Sequence, residues 1–185
     1  MTGRIHHCLW RGLLTGFILL FAGSGRAQAT DFSVSSTDMP NGSKVAAASV
    51  RGDCGGGNQS PALAWTTPPA GTRSLAITLH DPDAPKAGGW WHWLAFDLPA
   101  PTRRLPRGAA NGGLPPGSRQ SANDYALAGY DGPCPPGGKP HRYVLTIWAL
   151  DVDRLDVHNL APADLARQFE GHVLGKARLT ASFGR

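Results

Sequence analysis

Apolar positions along this chain gather into short β-rich runs, and the runs are separated by segments dense in glycine and proline. Six of them predict strands: Phe32 to Ser36, Lys44 to Val50, Leu75 to Leu79, Trp90 to Leu98, His141 to Asp151 and Ala177 to Phe183. A single stretch has helical periodicity. Pro162-Ala163-Asp164 supplies a helix start, Leu165, Phe169, His172 and Val173 share one face at a period of 3.6, and Gly175 ends it. With 24 glycines and 16 prolines scattered between the runs, the pattern predicts an all-β sandwich with long loops. The segment from Pro99 to Pro140 is a long Gly/Pro-rich excursion in which only Asp124 to Leu127 suggests a short strand. Connections of that length in a compact domain are often functional.

The amino terminus changes the accounting. Arg4 and Arg11 precede an apolar run from Leu13 to Ala22, and Ala27-Gln28-Ala29 has the small-x-small form of a processing site. These features predict a secretory signal peptide over residues 1–29, cleaved before Thr30. The run is about half the roughly 20 apolar residues that a spanning helix needs. The expected product is one exported domain, residues 30–185, in the periplasm or outside the cell. Three of the chain's 18 basic residues (Arg4, Arg11 and Arg26) leave with the leader, while all 13 acids stay, so the domain is close to neutral. No basic run suggests nucleic acid, and neither a polybasic segment nor a strongly amphipathic basic helix suggests stable membrane insertion. Cys8 also leaves with the leader. Cys54 and Cys134 are then the only thiols in an oxidising compartment, which predicts a disulfide between them. A metal-binding or catalytic thiol pair is the weaker alternative, since no CxxC spacing is present.

Candidate chemistry comes from strand parity, because residues two apart in a strand share a face. His141, Tyr143, Leu145 and Ile147 fall on one side of their strand, Leu75, Ile77, Leu79 and Asp81 on one side of theirs, and His92 aligns with Trp90, Leu94 and Phe96. Three strands thus carry polar groups on apolar faces, two of them at a strand end, as expected of a polar pocket at the rim of a core. Taken singly, each residue also has a structural reading. The aspartates of "DPDAP" can serve as turn formers, a histidine among tryptophans is often packing, and Tyr143 suits a core.

Taken together and in order, "DPDAP", the "HW" of "WWHWLAFDLPA" and "GYDGPCPPGGKPHRYVLTIWALD" closely resemble the phosphatidylethanolamine-binding protein family, in particular its bacterial Raf kinase inhibitor-like branch. The likeness continues through "CGGGNQSPALAWTTPPAGTRSLAITLHDPDAP" and "HVLGKARLTASFGR". It implies a β-sandwich with a few short peripheral helices and a small pocket for anions such as phosphate and phosphoethanolamine-like head groups. Carried over by motif, the ligand-binding positions are Asp81, Asp83, Trp90, His92, Gly132, Pro133, His141 and Tyr143. In this reading Asp81 orients an imidazole while His92, His141 and the Tyr143 hydroxyl donate to the anion. The connection between DPDAP and Trp90 is shorter than the resemblance implies for eukaryotic members, and near Trp91 the family often has another histidine that this chain lacks.

The expected function is that of a non-enzymatic ligand-binding protein with no cofactor and no resident metal. One alternative is a hydrolase using the same Asp/His cluster, with a metal or as acid and base, although HExxH, GxSxG and Walker motifs are all lacking. Another is an envelope or host interaction module, for which no face is marked. An exported protein has no access to a cytosolic kinase, so the branch name carries no kinase partner with it. The sequence leaves a homodimer open. Asn58-Gln59-Ser60 fits a glycosylation acceptor but is expected to serve its own loop.

Overall fold

The computed structural model describes residues 1–3 and 31–185. The apolar run of the leader and the cleavage point before Thr30 therefore lie outside the described residues. Among those described, no helix is long and apolar enough to cross a membrane.

Eight strands follow in chain order: β1 (Val34–Ser35), β2 (Leu63–Trp65), β3 (Ser74–Asp81), β4 (Trp90–Pro99), β5 (Arg104–Leu105), β6 (Arg119–Gln120), β7 (His141–Leu150) and β8 (Val173–Phe183), with the helix α1 (Pro162–Glu170) between the last two. They form a small sheet ordered β1-β2-β5 and a five-stranded antiparallel sheet ordered β6-β4-β3-β7-β8. The large sheet is covered on both faces. On one side Leu75, Ile77, Leu79, Leu145, Ile147 and Leu179 pack with Leu63, Trp65 and Leu105 of the small sheet. On the other, Ala76, Leu94, Phe96, Trp148 and Leu150 pack with Leu165 and Phe169 of α1. Double coverage explains why β3 reads as a continuous apolar run rather than an alternating one. It also explains why Thr78, buried at mid-strand, takes the Trp148 indole N–H at 3.0 Å.

Three expectations are corrected. Lys44 to Val50 is not a strand. Lys44 makes one isolated bridge to Ser182, and Ala47–Ser49 form a 3₁₀ turn. The carbonyls of Ala47, Ala48 and Val50 are taken instead by the N–H groups of Gly57, Gln59 and Asn58, and a Cβ on Gly56 would lie 2.0 Å from the Val50 carbonyl oxygen. The helix stops at Glu170, before His172 and Val173. Pairing of Leu150 with Val173, and the Asp151 N–H bond to the His172 carbonyl, draw that segment into β8 against the helical periodicity. Asp124 to Leu127 is a turn closed by a bridge between Ala122 and Ala128.

The Pro99–Pro140 excursion is built into both sheets: β5 joins the small one and β6 the edge of the large one. Asp97, at a β-bulge with φ 57°, accepts from Arg119 at 2.6 Å and from the Leu155 N–H at 3.0 Å, which ties the excursion to the loop before α1. Unlike the expectation, the Asn58 side chain serves not its own turn but the excursion 73 and 74 residues further on. Its amide donates to Asp131 at 3.1 Å and accepts from the Gly132 N–H at 2.8 Å. The expected Cys54–Cys134 disulfide is present, joining residues 80 apart in sequence. A cross-link over so long a loop restricts the unfolded chain, so the Cys54→Ser/Cys134→Ser double variant is expected to lose about 2–4 kcal/mol in urea unfolding relative to the oxidised protein.

Candidate functional site

A cavity of about 210 Å³ opens at the end of the large sheet where β3 finishes, β4 begins and β7 begins. Its polar lining comes from Asp81, His92, His141 and Tyr143, with Trp90 beside them. Two loops complete it. Ala84, Pro85 and Lys86 come from the β3–β4 turn, and Tyr125, Cys134, Pro135 and Pro136 come from the excursion. Five of the eight motif positions thus line one cavity.

Parity alone places Asp81, His141 and Tyr143 there, because β3 and β7 run in unbroken register from Ser74↔Leu150 to His80↔Val144. His92 arrives differently. Leu79 pairs with Trp93 but the next residue, His80, pairs with Trp91, so His92 is the extra residue of a β-bulge. Asp81 pairs with Trp90, which puts Trp90 and His92 on the face of Leu79 and Asp81. Leu94 and Phe96 pack on the opposite face, under α1. The expected alignment of His92 with those two residues is therefore corrected. Without the bulge, His92 would turn away from the cavity.

Each imidazole is held by its Nδ1 atom. His92 Nδ1–H donates to the Asp131 carbonyl at 2.8 Å, and His141 Nδ1–H donates to Asp81 Oδ2 at 2.8 Å. A carbonyl can only accept, so the neutral His92 ring carries its proton on Nδ1 and a lone pair on Nε2. Among the described residues no hydrogen bond engages either Nε2. This refines the expected donor roles: a neutral ring offers an acceptor at Nε2, and a donor appears only when the ring gains a proton. Asp81 orients His141, whereas His92 is oriented by backbone. Burial holds the His92 pKa below its ordinary 6.5, with the bond to Asp131 opposing that effect. The Tyr143 hydroxyl is buried without a hydrogen-bond partner among the described residues. Burial first, and the nearby Asp81 charge second, keep it protonated far above the ordinary phenol range. Tyr143 is thus a donor at any working pH.

The remaining motif positions build the walls. The Asp81 carboxylate also accepts the Asp83 N–H at 2.9 Å, closing an Asx-type turn. Asp83 does not line the cavity. It grips the Arg142 guanidinium through both oxygens, at 2.9 and 2.7 Å, and accepts the Arg142 N–H as well. That pairing with Arg142 holds its carboxyl well below the usual carboxylate range. Gly132 and Pro133 are structural too. A Cβ on Gly132 would stand 2.2 Å from the Ser49 carbonyl oxygen, and the Pro133 carbonyl accepts from the Arg51 N–H at 3.1 Å. Close backbone contact at those two residues sets the course of Cys134-Pro135-Pro136 past the cavity.

Two lining residues with polar side chains, Lys86 and Tyr125, were absent from the sequence-derived set. Tyr125 packs edge-on to Trp90 at 5.0 Å and carries the Arg51 guanidinium over its ring at 4.1 Å. Lys86 pairs with Asp124 at 2.6 Å. Both sit in irregular backbone, and the Asp124 to Leu127 run that suggested a strand around Tyr125 forms a turn instead, so strand parity gives neither side chain a direction. Among the other tryptophans, Trp93 is core and donates to Gln120 at 2.7 Å, while Trp91 stacks on His80 at 4.2 Å. Among the described residues no group of three or more His, Cys, Asp or Glu is arranged to hold a metal ion.

This arrangement of two sheets and a helix is shared with a recognised family. A sequence model described as phosphatidylethanolamine-binding protein matches residues 35–184, and the chain belongs to that family. It is 44% identical over 153 residues to the UPF0098 protein YbhB of Escherichia coli strain K12, across 80% of this chain and 97% of that protein. The crystal structure of E. coli YbcL, described as a new member of the mammalian PEBP family, is similar with a TM-score of 0.81 and 36% identity, over 84% of this chain and 99% of that one. A PEBP homologue from Chlamydia trachomatis, CT736, is similar with a TM-score of 0.71 and 26% identity, over 83% and 97% of the two chains.

The buried imidazole has a consequence for stability. Because folding lowers the His92 pKa from 6.5, the unfolded chain binds that proton more readily. The His92 contribution is complete above pH 6.5 and is lost as pH falls below it toward the folded value. Urea midpoints are expected to drop between pH 7.5 and pH 5, and His92→Gln is expected to make that drop shallower.

Proposed function

We propose that the chain is an exported, non-enzymatic binding protein whose cavity takes a small anion, a phosphate or a phosphoethanolamine-like head group. Export rests on the leader pattern before Thr30. Anion binding rests on one observation: two imidazoles fixed at Nδ1 each leave Nε2 without a protein partner, beside a phenol whose hydroxyl also lacks one. Three such groups suit tetrahedral oxygens. Tyr143 donates, a protonated imidazole donates, and a neutral imidazole accepts from a P–OH. Asp81 offsets the charge of a protonated His141 and, in a zwitterionic head group, that of the ammonium. Trp90, Tyr125 and the prolines keep the remainder of the cavity apolar, which favours a compact group over an extended polar one.

Hydrogen bonds to charged partners contribute about 1.5–3 kcal/mol each, and association itself costs several kcal/mol. Binding of a bare head group is accordingly weak, and it depends on protons. Sulfate keeps its charge between pH 5 and 8, so its affinity reports the protein alone. It is expected to tighten as pH falls, by up to about tenfold per unit for each proton taken up on binding. The His92 share arises between the pKa of the ligand-bound ring and that of the free ring, which burial holds under 6.5, and ends where the free ring already carries its proton. Calorimetric titration with sulfate and with O-phosphoethanolamine checks this, and affinity flat from pH 5 to 8 would falsify the histidine role. His92→Ala and His141→Ala are each expected to weaken binding about tenfold or more, with the fold verified by circular dichroism.

A further inference from the structure

The charges around the cavity do not balance for an anion at neutral pH. Asp81 is a carboxylate at its floor, with one oxygen bonded to His141 and the other to the Asp83 N–H. Burial keeps His92 neutral there, and Arg142 is committed to Asp83. Arg51 lies behind the Tyr125 ring rather than in the lining. Among the described residues, one permanent cation lines the cavity: Lys86.

Its placement is specific. Lys86 Nζ sits 2.6 Å from Asp124 Oδ1 and 5.1 Å from the centre of the Trp90 ring, another lining residue. Its backbone is pinned at both groups, with N–H to the Ala84 carbonyl at 2.7 Å and carbonyl to the Gly89 N–H at 2.9 Å. The side chain is 44% exposed, so its four-carbon stem is free to swing from a fixed base. Its partner is not free. Asp124 Oδ2 accepts the Trp91 N–H at 2.8 Å, and the Asp124 N–H donates to the Trp91 carbonyl at 2.9 Å. Asp124 is only 10% exposed, so the resting pair is a charge-assisted bond between a half-exposed cation and a mostly buried carboxylate. A doubly charged occupant of the cavity offers the ammonium a bond of the same kind with a larger opposing charge. Asp124 and such an occupant therefore compete for the one ammonium.

We propose that Lys86 is a latch that rests on Asp124 and swings to meet a doubly charged phosphate- or sulfate-type group in the cavity, so that the Lys86–Asp124 pair sets how tightly this chain holds a dianion. The proposal rests on the anion-binding reading above and adds to it the residue that supplies charge when the imidazoles are neutral. Asp124 competes with the ligand for Lys86, and the two residues have opposite signs of effect.

The test is a cycle of Lys86→Gln, Asp124→Asn and the double variant, titrated at pH 7.5 with sulfate, inorganic phosphate and O-phosphoethanolamine. Asparagine keeps an oxygen for the Trp91 N–H, so the start of β4 is retained. Lys86→Gln is expected to weaken sulfate binding about tenfold and to flatten its dependence on ionic strength. Asp124→Asn is expected to tighten binding several-fold, and to do so only while Lys86 is present. If Asp124→Asn tightens binding equally in the Lys86→Gln background, its effect is that of a general field and the latch is wrong. If wild type binds while Lys86→Gln binds as well, the latch alone falls. If wild type binds none of the three probes at pH 6 or 7.5, the anion reading falls and takes the latch with it. A Lys86 effect confined to O-phosphoethanolamine assigns the residue to a head group beyond the dianion and overturns the charge argument.

Discussion

Neither cavity imidazole is free to choose its tautomer, and the rest of the site follows from that constraint. The Asp131 carbonyl and the Asp81 carboxylate each require an Nδ1–H. The two Nε2 atoms are then left for whatever enters. The constraint is built from ordinary parts. A β-bulge delivers His92 to the inner face, register between β3 and β7 brings Asp81 within reach of His141, and the Asn58–Asp131–Gly132 bonds hold the Asp131 backbone in place. Asp131 is itself 95% buried, so movement of its carbonyl would leave polar groups unpaired in the interior, at a cost of about 1–3 kcal/mol per group.

The walls are attached less firmly than the floor. Asp81, His92 and Tyr143 lie on long strands with a doubly covered core beneath them. Pro135 and Pro136 hang on loop contacts: the disulfide at Cys134, the Arg51–Pro133 bond, and Arg185 Nε donating to the Pro135 carbonyl at 2.8 Å. The floor is thus fixed by sheet register, and the walls by loop contacts.

Much of this was legible in the sequence, for reasons that also explain the failures. Strand parity found Asp81, His141 and Tyr143 because β3 and β7 pair without interruption near them. It chose the right residue but the wrong face at His92, since a one-residue bulge leaves no mark on an apolar run as continuous as Trp90 to Leu98. Motif resemblance placed Asp83, Gly132 and Pro133 among the ligand-binding positions, whereas they lie outside the cavity lining. It could not separate lining from scaffold, because a clamp on Arg142 and a close backbone approach to Ser49 depend on three-dimensional proximity. The Lys44–Val50 run failed for a related reason: its backbone groups are taken by a glycine-rich loop several residues on. Lys86 and Tyr125 were invisible, lying in turns where no period constrains which way a side chain faces.

The account stands or falls on the ring nitrogens. Nitrogen-15 NMR of the histidine side chains, recorded at pH 7 with and without saturating phosphate, reads the protonation of each Nδ1 and Nε2 directly. In the free protein His92 should be neutral with its proton on Nδ1, and on binding the Nε2 resonances of His92 and His141 should both shift, at least one of them to the protonated range. A free His92 protonated on Nε2, or Nε2 signals unmoved at saturation, would contradict it.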